Sequence, residues 1–486
     1  MNLSLVKSLF KNRIFWYLFS RYFSLALQFL SSIFIALKLG VYHFGIWSFM
    51  LLLINIGSSC NWGIGNAATI LLVQHKDDEN LCRSYVLNSL ILVLLTALIP
   101  IAVTVYDRAI GIPFFEKYHL GNLIYAAGGV VILQYLCNFF VNIYRVKNRI
   151  MEIIIQQSLW PLIMTCLIFC SSGETLLNLL AVGYIAALSV AVAVFTAFFH
   201  FRGSRSDVSI TRSREIMSKG FFLFLYNACF LAIMLSTKFL ISYYYSVAEF
   251  GYFSFAFSLA QGVVLLIDSL IFLVFPKMID MLKGNDVEQI RSAIKVLREN
   301  YLLPLHLLFY IILVISVPFF HFMPQYSKSF LPFVLILFTL VIYSNCFGYN
   351  SYLLAQNREK SFSLIVLTAL CFNILLVWAL VRFVRVQFEY AILATLLGYF
   401  LYSIAVNSYA LYLTGVRNWR VYFRENLFSR ANLIYITCLG ALMHWGCSWL
   451  LFFISFILFL ILHIKQIRQL AGNAVKLIRN DRLINV

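Results

Sequence analysis

The fold of this chain is decided by a charge-free run that begins Phe44-Gly45-Ile46-Trp47-Ser48-Phe49 and continues to Val73. A helix needs ~20 largely apolar residues to cross a bilayer, and this run exceeds that length. The sequence therefore predicts an all-α transmembrane bundle of about fourteen helices. The predicted spans are residues 14–37, 44–73, 85–106, 121–143, 153–170, 177–200, 220–245, 248–275, 301–320, 329–353, 362–384, 390–413, 431–445 and 447–464.

The composition agrees with this prediction. Of the 486 residues, 62% are hydrophobic and only 12% are charged, which leaves too little polar surface for a large soluble domain. The net charge of +18 lies mainly in the short loops, which favours a membrane protein over one that binds nucleic acid. The N-terminal run lacks a small-residue cleavage motif, so we expect it to be a retained first helix rather than a signal peptide.

The distribution of lysine and arginine predicts the orientation. With a cytoplasmic N-terminus, cytoplasmic segments carry 29 of the 37 basic residues, external segments carry 6, and 2 lie within spans. Positive charge accumulates on the cytoplasmic side of membrane proteins. The sequence therefore predicts a multi-pass membrane protein with both termini in the cytoplasm.

The two halves of the chain resemble each other. Phe44-Gly45-Ile46-Trp47-Ser48-Phe49 recurs 206 residues later as Phe250-Gly251-Tyr252-Phe253-Ser254-Phe255. Cys137 and Asn148-Arg149 recur as Cys346 and Asn357-Arg358, at an offset of 209. Two matches in order at nearly one offset indicate an internal duplication of six spans. Because six is even, the repeats are parallel, and we expect two lobes around a central cleft.

These boundaries predict four parts. They are an N-terminal six-helix lobe (1–200), a cytoplasmic linker rich in serine and arginine (201–219), a C-terminal six-helix lobe (220–414), and two further helices with a cytoplasmic tail (415–486).

Three charged residues within spans are candidates for function, because a charge in a bilayer usually faces a cavity or a partner. Arg21 either extends to the cytoplasmic headgroups or faces a cavity. Lys238 and Asp268 form either a structural salt bridge or a pair that breaks during transport, and Asp268 is also a candidate site for coupling to a proton or cation.

Amide side chains within spans form a second group of candidates. Asn61 and Asn66 lie in span two, within an unusually small and polar stretch from Gly57 to Asn66, and Asn138 and Asn142 lie in span four. Hydrogen bonds between helices explain such residues in most cases. The alternative is a hydrophilic cavity that binds sugar hydroxyls.

The sequence offers no catalytic constellation. The eight histidines lack metal-ligand spacing, and no phosphate-binding loop is present. We therefore expect neither enzymatic activity nor a cofactor or metal.

Several of these motifs carry a resemblance to a known family. Leu39-Gly40 with Phe44-Gly45-Ile46-Trp47-Ser48, the Gly63-Ile64-Gly65-Asn66 end of span two, the repeated Phe-Gly-x-x-Ser and the twelve-plus-two plan resemble the polysaccharide transporters, the O-antigen flippase (Wzx-type) branch of the multidrug/oligosaccharidyl-lipid/polysaccharide exporter superfamily. Ser20-Arg21 also looks like the Ser-Arg of related peptidoglycan lipid flippases.

The resemblance implies a flippase that moves undecaprenyl-diphosphate-linked oligosaccharide from the cytoplasmic to the periplasmic leaflet. It implies alternating access, coupling to an ion gradient, and a polysaccharide polymerase and a chain-length regulator as candidate partners beside membrane lipids. In the related flippases the Ser-Arg arginine helps to hold the diphosphate, a role that carries over only to Arg21, because spans two, eight and nine contain no further arginine.

Two other functions remain open at this point. A drug/cation antiporter of the same superfamily would favour acidic cavity residues, of which Asp268 is the one deep in a span. A membrane-embedded glycan polymerase would need a catalytic loop, and the external loops are short. A sugar porter of the major-facilitator type is disfavoured, because the loop at Gln74-His75-Lys76-Asp77 lacks that family's motif.

Overall fold

The structure is a computed structural model that describes residues 13–147, 149–199, 207–282, 286–418, 420–421, 430–445 and 449–479. Within the helices, side chains are described except at residues 13–19, 21, 150, 222–223, 264–280, 430–433, 435, 443, 445 and 470–479.

The described residues form helices joined by short turns, with no strand among them. In chain order the helices are α1 (Arg13–Ser59), α2 (Ile64–Gln74), α3 (Glu79–Thr96), α4 (Leu98–Ile110), α5 (Pro113–Glu116), α6 (Leu123–Val146), α7 (Ile150–Cys170), α8 (Gly173–Ala197), α9 (Ile210–Tyr244), α10 (Val247–Leu282), α11 (Val287–His321), α12 (Phe330–Ser344), α13 (Tyr349–Ala355), α14 (Glu359–Ala379), α15 (Ile392–Leu413), α16 (Arg430–Trp445) and α17 (Trp449–Arg479). The predicted all-α transmembrane class is confirmed.

Eleven of the described helical segments are long and apolar enough to cross a membrane. The count is lower than fourteen for three reasons. Spans one and two count as one segment, Tyr22–Gln74, because only Gly40 separates them. The middle of α10 lacks described side chains, and α16 has only 16 residues. The multi-pass prediction therefore agrees with the structure.

The turns are short because their residues satisfy the helix ends locally. Gly40, with φ +69°, reverses the chain within α1, a conformation that L side chains rarely adopt. Ser246 precedes α10 and forms a reciprocal cap with Glu249, whose Oε2 accepts from the Ser246 hydroxyl at 2.6 Å and from its amide at 2.9 Å. Asp78 accepts from Leu81 N at 3.0 Å and begins α3.

The internal duplication is visible as a reciprocal backbone contact. A Cβ atom on Gly45 would lie 2.4 Å from the carbonyl oxygen of Val247, and a Cβ on Gly251 would lie 2.3 Å from that of Val41. Both members of each pair differ by the same 206 residues that relate the sequence repeats. Spans two and eight therefore cross through their equivalent glycines, and each glycine is needed because any side chain would meet backbone.

The second sequence match also corresponds to a shared local structure. Arg149 N donates to Tyr144 O at 2.9 Å after span four, and Arg358 N donates to Leu353 O at 2.9 Å after span ten. Both pairs are related by the offset of 209. The same helix-ending turn thus closes the two equivalent spans.

The chain divides into two compact units, residues 1–266 and 267–486. The first contains α1 to α9 and the beginning of α10. The second contains the remainder of α10 and α11 to α17. The four predicted parts, residues 1–200, 201–219, 220–414 and 415–486, remain a prediction.

Candidate functional site

Span two is broken within the first unit. The helix ends at Ser59 and resumes at Ile64, and between them Trp62 and Gly63 have φ values of +53° and +69°. Asn61 Oδ1 accepts a hydrogen bond from Gly63 N at 3.0 Å and stabilises the turn. The bend suggested by the small and polar stretch is therefore present, and it interrupts a span.

The broken segment is held by close packing. A Cβ on Gly63 would lie 2.8 Å from Gly220 O, and one on Gly220 would lie 2.9 Å from Gly63 O. Gly57 lies against Val131, and Trp62 stacks on Phe224 with ring centroids 5.7 Å apart. Irregular backbone at membrane depth occurs where protein buries it or where it lines a wet cavity. Here the close packing of the glycines buries the irregular backbone within the protein.

A row of amides on α6 follows the broken span. Gln134, Asn138 and Asn142 are spaced four residues apart and share a stripe of the helix. Gln134 Oε1 accepts from the Ser58 hydroxyl, and Asn142 Oδ1 accepts from Thr69 at 3.4 Å. Because contacts with span two flank it on both sides, Asn138 lies beside the break.

The four amides predicted from the sequence divide into two kinds. Asn61 stabilises the turn, and Asn142 is bonded at both ends, because its Nδ2 also donates to Asn138 O at 2.9 Å. Asn66 and Asn138 are exposed, and among the described residues neither side chain has a hydrogen-bond partner. We call Asn66 and Asn138 the open amides.

An amide exposed within a predicted membrane span favours water or a polar ligand over lipid as its neighbour. An amide that contacts hydrocarbon without a hydrogen bond is costly, at roughly 1–3 kcal/mol on protein scales. Asn55, which lies seven residues before Trp62 in span two, is also exposed. The open amides therefore offer donors and acceptors to a hydroxyl-rich ligand.

Lys238 is buried near the end of α9, with 6% of its surface exposed. Its Nζ lies 5.6 Å from the ring centroid of Phe250 and 5.1 Å from that of Phe257. Two phenyl faces stabilise an ammonium group only modestly. Among the side chains that the structure describes, no carboxylate lies within salt-bridge distance of Lys238.

Two other predicted site residues cannot be placed in the same way. Arg21 lies in α1 and Asp268 in α10, but both side chains are outside the described residues. The structure thus brings Asn61, Asn66, Asn138 and Asn142 together around the break. Lys238 lies apart from them, near the end of α9. The proposed Lys238–Asp268 pair and the cavity role of Arg21 stay predictions.

Sequence reasoning missed Gln134, which connects the break to the interior of the unit. Its Nε2 donates to Tyr184 Oη at 2.8 Å, and Tyr184 stacks on Trp160 with centroids 4.2 Å apart. The ring centroid of Trp160 in turn lies 6.4 Å from that of Trp47, which belongs to the Phe44–Phe49 motif of span two. Gln134 lies four residues before Asn138, so the four-residue spacing of Asn138 and Asn142 would have predicted it.

The side chains around the break are mainly amides, hydroxyls and aromatic rings. The described residues contain no group of three potential metal ligands. The amides, hydroxyls and indole rings around the break suit a ligand that carries hydroxyls.

The fold is similar to that of solved membrane transporters. The lipid II flippase MurJ, in an inward closed conformation, matches with a TM-score of 0.64 and 12% identity over 93% of this chain and 99% of that one. An inward-facing multidrug resistance MATE family transporter of the MOP superfamily matches with a TM-score of 0.62 and 11% identity, over 81% and 94% of the two chains. At these identities the likeness concerns the fold alone.

The sequence itself places the chain in a family. No curated protein matches it in sequence. Residues 10–282, more than half of the chain, match the family described as polysaccharide biosynthesis protein. This region contains both Phe-Gly-x-x-Ser motifs, the broken span and Lys238. The chain therefore belongs to the polysaccharide biosynthesis protein family, and its fold is that of the MOP-superfamily transporters.

Proposed function

We propose that this protein is a flippase that moves undecaprenyl-diphosphate-linked oligosaccharide, an O-antigen or similar repeat unit, from the cytoplasmic to the periplasmic leaflet of the bacterial inner membrane. Movement proceeds by alternating access, coupled to an ion gradient, with both termini in the cytoplasm. A polymerase and a chain-length regulator act on the same pathway and are candidate partners.

The physical need for such a protein follows from the substrate. A diphosphate and a glycan cannot cross hydrocarbon unaided, because charge and hydroxyls lose their hydration there. The protein has to replace this hydration along the path, while the prenyl chain remains in lipid. Amides replace water at hydroxyls, and a cation replaces it at phosphate.

The observation that carries the proposal is the pair of open amides beside the broken span. Among the described residues, Asn66 and Asn138 are exposed and have no side-chain hydrogen-bond partner, whereas Asn61 Oδ1 holds the turn and Asn142 is bonded through both its oxygen and its nitrogen. Lys238 supports the diphosphate part, since it is a buried cation without a described carboxylate beside it. Arg21 is the second candidate cation.

The test uses a deletion strain complemented with variants. Asn66→Leu and Asn138→Leu remove the amides at nearly constant volume, and we expect each to slow export about three- to tenfold, the effect of one lost hydrogen bond of ~0.5–1.5 kcal/mol. Asn178→Leu, an exposed amide on α8 away from the break, is the matched control. Equal export from all three variants would remove the support that the amides provide.

The same strain separates the competing functions. A missing flippase leaves lipid-linked repeat units on the cytoplasmic leaflet and no surface glycan. A missing polymerase leaves short surface glycan. The similarity to a multidrug resistance MATE transporter keeps a drug antiporter as the second candidate, and it predicts drug sensitivity with normal glycan.

A further inference from the structure

The segment between α4 and α6 contacts other parts of the first unit far away in sequence. It contains α5 and the turn that follows, and we call residues 112–120 the 112–120 segment. Lys117 Nζ donates to Ser242 O at 2.7 Å, to Tyr243 O at 3.0 Å and to Tyr245 O. The first two carbonyls belong to the last turn of α9, and the third belongs to Tyr245, which follows it. Carbonyls in the last turn of a helix have no successor amide to bond.

Tyr118 strengthens the same contact. Its hydroxyl donates to Ser242 O at 2.8 Å, and both residues are fully buried. Its ring stacks on Phe49 of span two, with centroids 3.9 Å apart and planes 16° apart. Tyr118 also meets Phe250 of α10 edge to face at 5.7 Å. One residue thus joins spans two, seven and eight.

Phe114 adds an apolar contact on the same side. Its ring lies 4.9 Å from Phe49, 5.3 Å from Phe239 and 5.4 Å from Tyr243. The segment therefore covers the place where span two and span eight cross through Gly45 and Gly251. We call this end of the first unit, which also carries the Gly40 turn, the Gly40 end.

We propose that the 112–120 segment is a latch that closes the Gly40 end, with Lys117 and Tyr118 gripping the carbonyl end of α9. The latch must release before spans two, seven and eight separate at that end. Charge-assisted hydrogen bonds suit this role, because they are strong when made and are replaced by water when broken. The inference rests on the alternating access of the proposed function.

The test measures access rather than export, so its failure is distinguishable from failure of the proposed function. Ser242→Cys places a thiol under the latch, and Ser48→Cys places one on span two beside Phe49, where 2% of the serine is exposed. A membrane-impermeant thiol reagent is added to right-side-out and inside-out vesicles. Mass spectrometry then follows each engineered site separately from the native cysteines.

We expect Lys117→Met to raise the labelling rate of both thiols about tenfold from one side of the membrane, and Tyr118→Phe to raise it about threefold. Lys38→Met, another lysine of the Gly40 end that is exposed, is the control and should change neither rate. Lys117→Arg keeps a cation and should restore slow labelling.

Faster labelling at Ser242→Cys alone would mean that Lys117 only caps a helix, and it would overturn the proposal. Unchanged labelling at both thiols would do the same. A rise at both thiols from inside-out vesicles would support the latch and reverse the proposed orientation.

Discussion

At the scale of single residues, Lys238 makes the sharpest prediction. Its ammonium is buried against the rings of Phe250 and Phe257, and burying a charge without a charged partner costs folding free energy. A role in binding an anionic ligand would explain why the residue is a lysine. Lys238→Met keeps the length of the side chain and removes the charge. We expect an unchanged or higher thermal unfolding midpoint and export at least tenfold lower, measured on purified protein and in the deletion strain.

The outcome also decides between the two explanations of Lys238. If Asp268 pairs with it as a structural salt bridge, Lys238→Met leaves a buried carboxylate unpaired and lowers the unfolding midpoint. Lys238→Met combined with Asp268→Asn would then recover stability. Export near the wild-type level in the stable double variant would contradict a role for Lys238 in binding an anion.

Residue types in the sequence predicted part of the site. The small and polar stretch from Gly57 to Asn66 predicted a bend, because glycine and amides at membrane depth need a structural reason. The sequence did not reveal that Asn61 and Asn142 would be used internally while Asn66 and Asn138 stay open. That division depends on which neighbours, Gly63 N and Thr69, approach each amide after folding.

At the scale of helices, the crossing of spans two and eight predicts a reciprocal effect. Gly45→Ala and Gly251→Ala each insert a Cβ at 2.4 Å or less from a backbone oxygen. We expect each to lower the free energy of unfolding by about 1–3 kcal/mol. Gly440→Ala, whose Cβ would meet nothing within 4 Å, should leave stability unchanged or raise it.

The double variant of Gly45 and Gly251 is the stronger measurement. Once one Cβ has pushed the helices apart, the second Cβ causes less steric overlap. The free energy of unfolding of the double variant should therefore fall by less than the sum of the two single decreases. Full additivity, measured by thermal unfolding, would contradict a shared crossing.

A second prediction at this scale concerns the other end of α9. Tyr85 Oη donates to Glu215 Oε2 at 2.7 Å, and Lys219 Nζ lies 3.1 Å from Glu215 Oε1. The hydrogen bond from Tyr85, aided by Lys219, holds the pKa of Glu215 below its ordinary value. A lowered carboxyl pKa stabilises the fold above the unfolded value of ~4.3, and this stabilisation disappears as pH falls through the folded value.

Glu215→Gln should therefore lower the unfolding midpoint at neutral pH, and the difference from wild type should shrink below about pH 4. Glu174→Gln, which changes an exposed carboxylate at the start of α8, is the control. A difference that does not shrink below pH 4 would exclude an ionised Glu215 as the cause.

Among the helices, local patterns predicted more than distant ones. The length of the apolar runs predicted the spans. The two Phe-Gly-x-x-Ser motifs predicted the duplication that is visible in the contacts of Gly45 and Gly251. The docking of Lys117 on Ser242 O could not be predicted, because 125 residues separate the partners and the acceptor is a backbone atom. Such a contact leaves no side-chain pattern to read in a single sequence.

At the scale of the whole molecule, the duplication and the charge distribution make a joint prediction. Parallel repeats of six spans require that the N-terminus and the loop around residues 201–219 lie on the same side of the membrane. The excess of lysine and arginine in these segments predicts that both lie in the cytoplasm. Alkaline phosphatase, which is active only outside the cytoplasm, tests this when it is fused after His119 or after Ser209.

We expect activity after His119 and none after Ser209, and a fluorescent protein at the C-terminus should fluoresce because that end is predicted to be cytoplasmic. Activity at both fusion points would mean an even number of spans between them instead of the predicted three, which is incompatible with parallel six-span repeats. Activity after Ser209 alone would keep the duplication but reverse the orientation. In that case the Gly40 end would face the cytoplasm, and the latch would control entry of the lipid-linked substrate rather than its release.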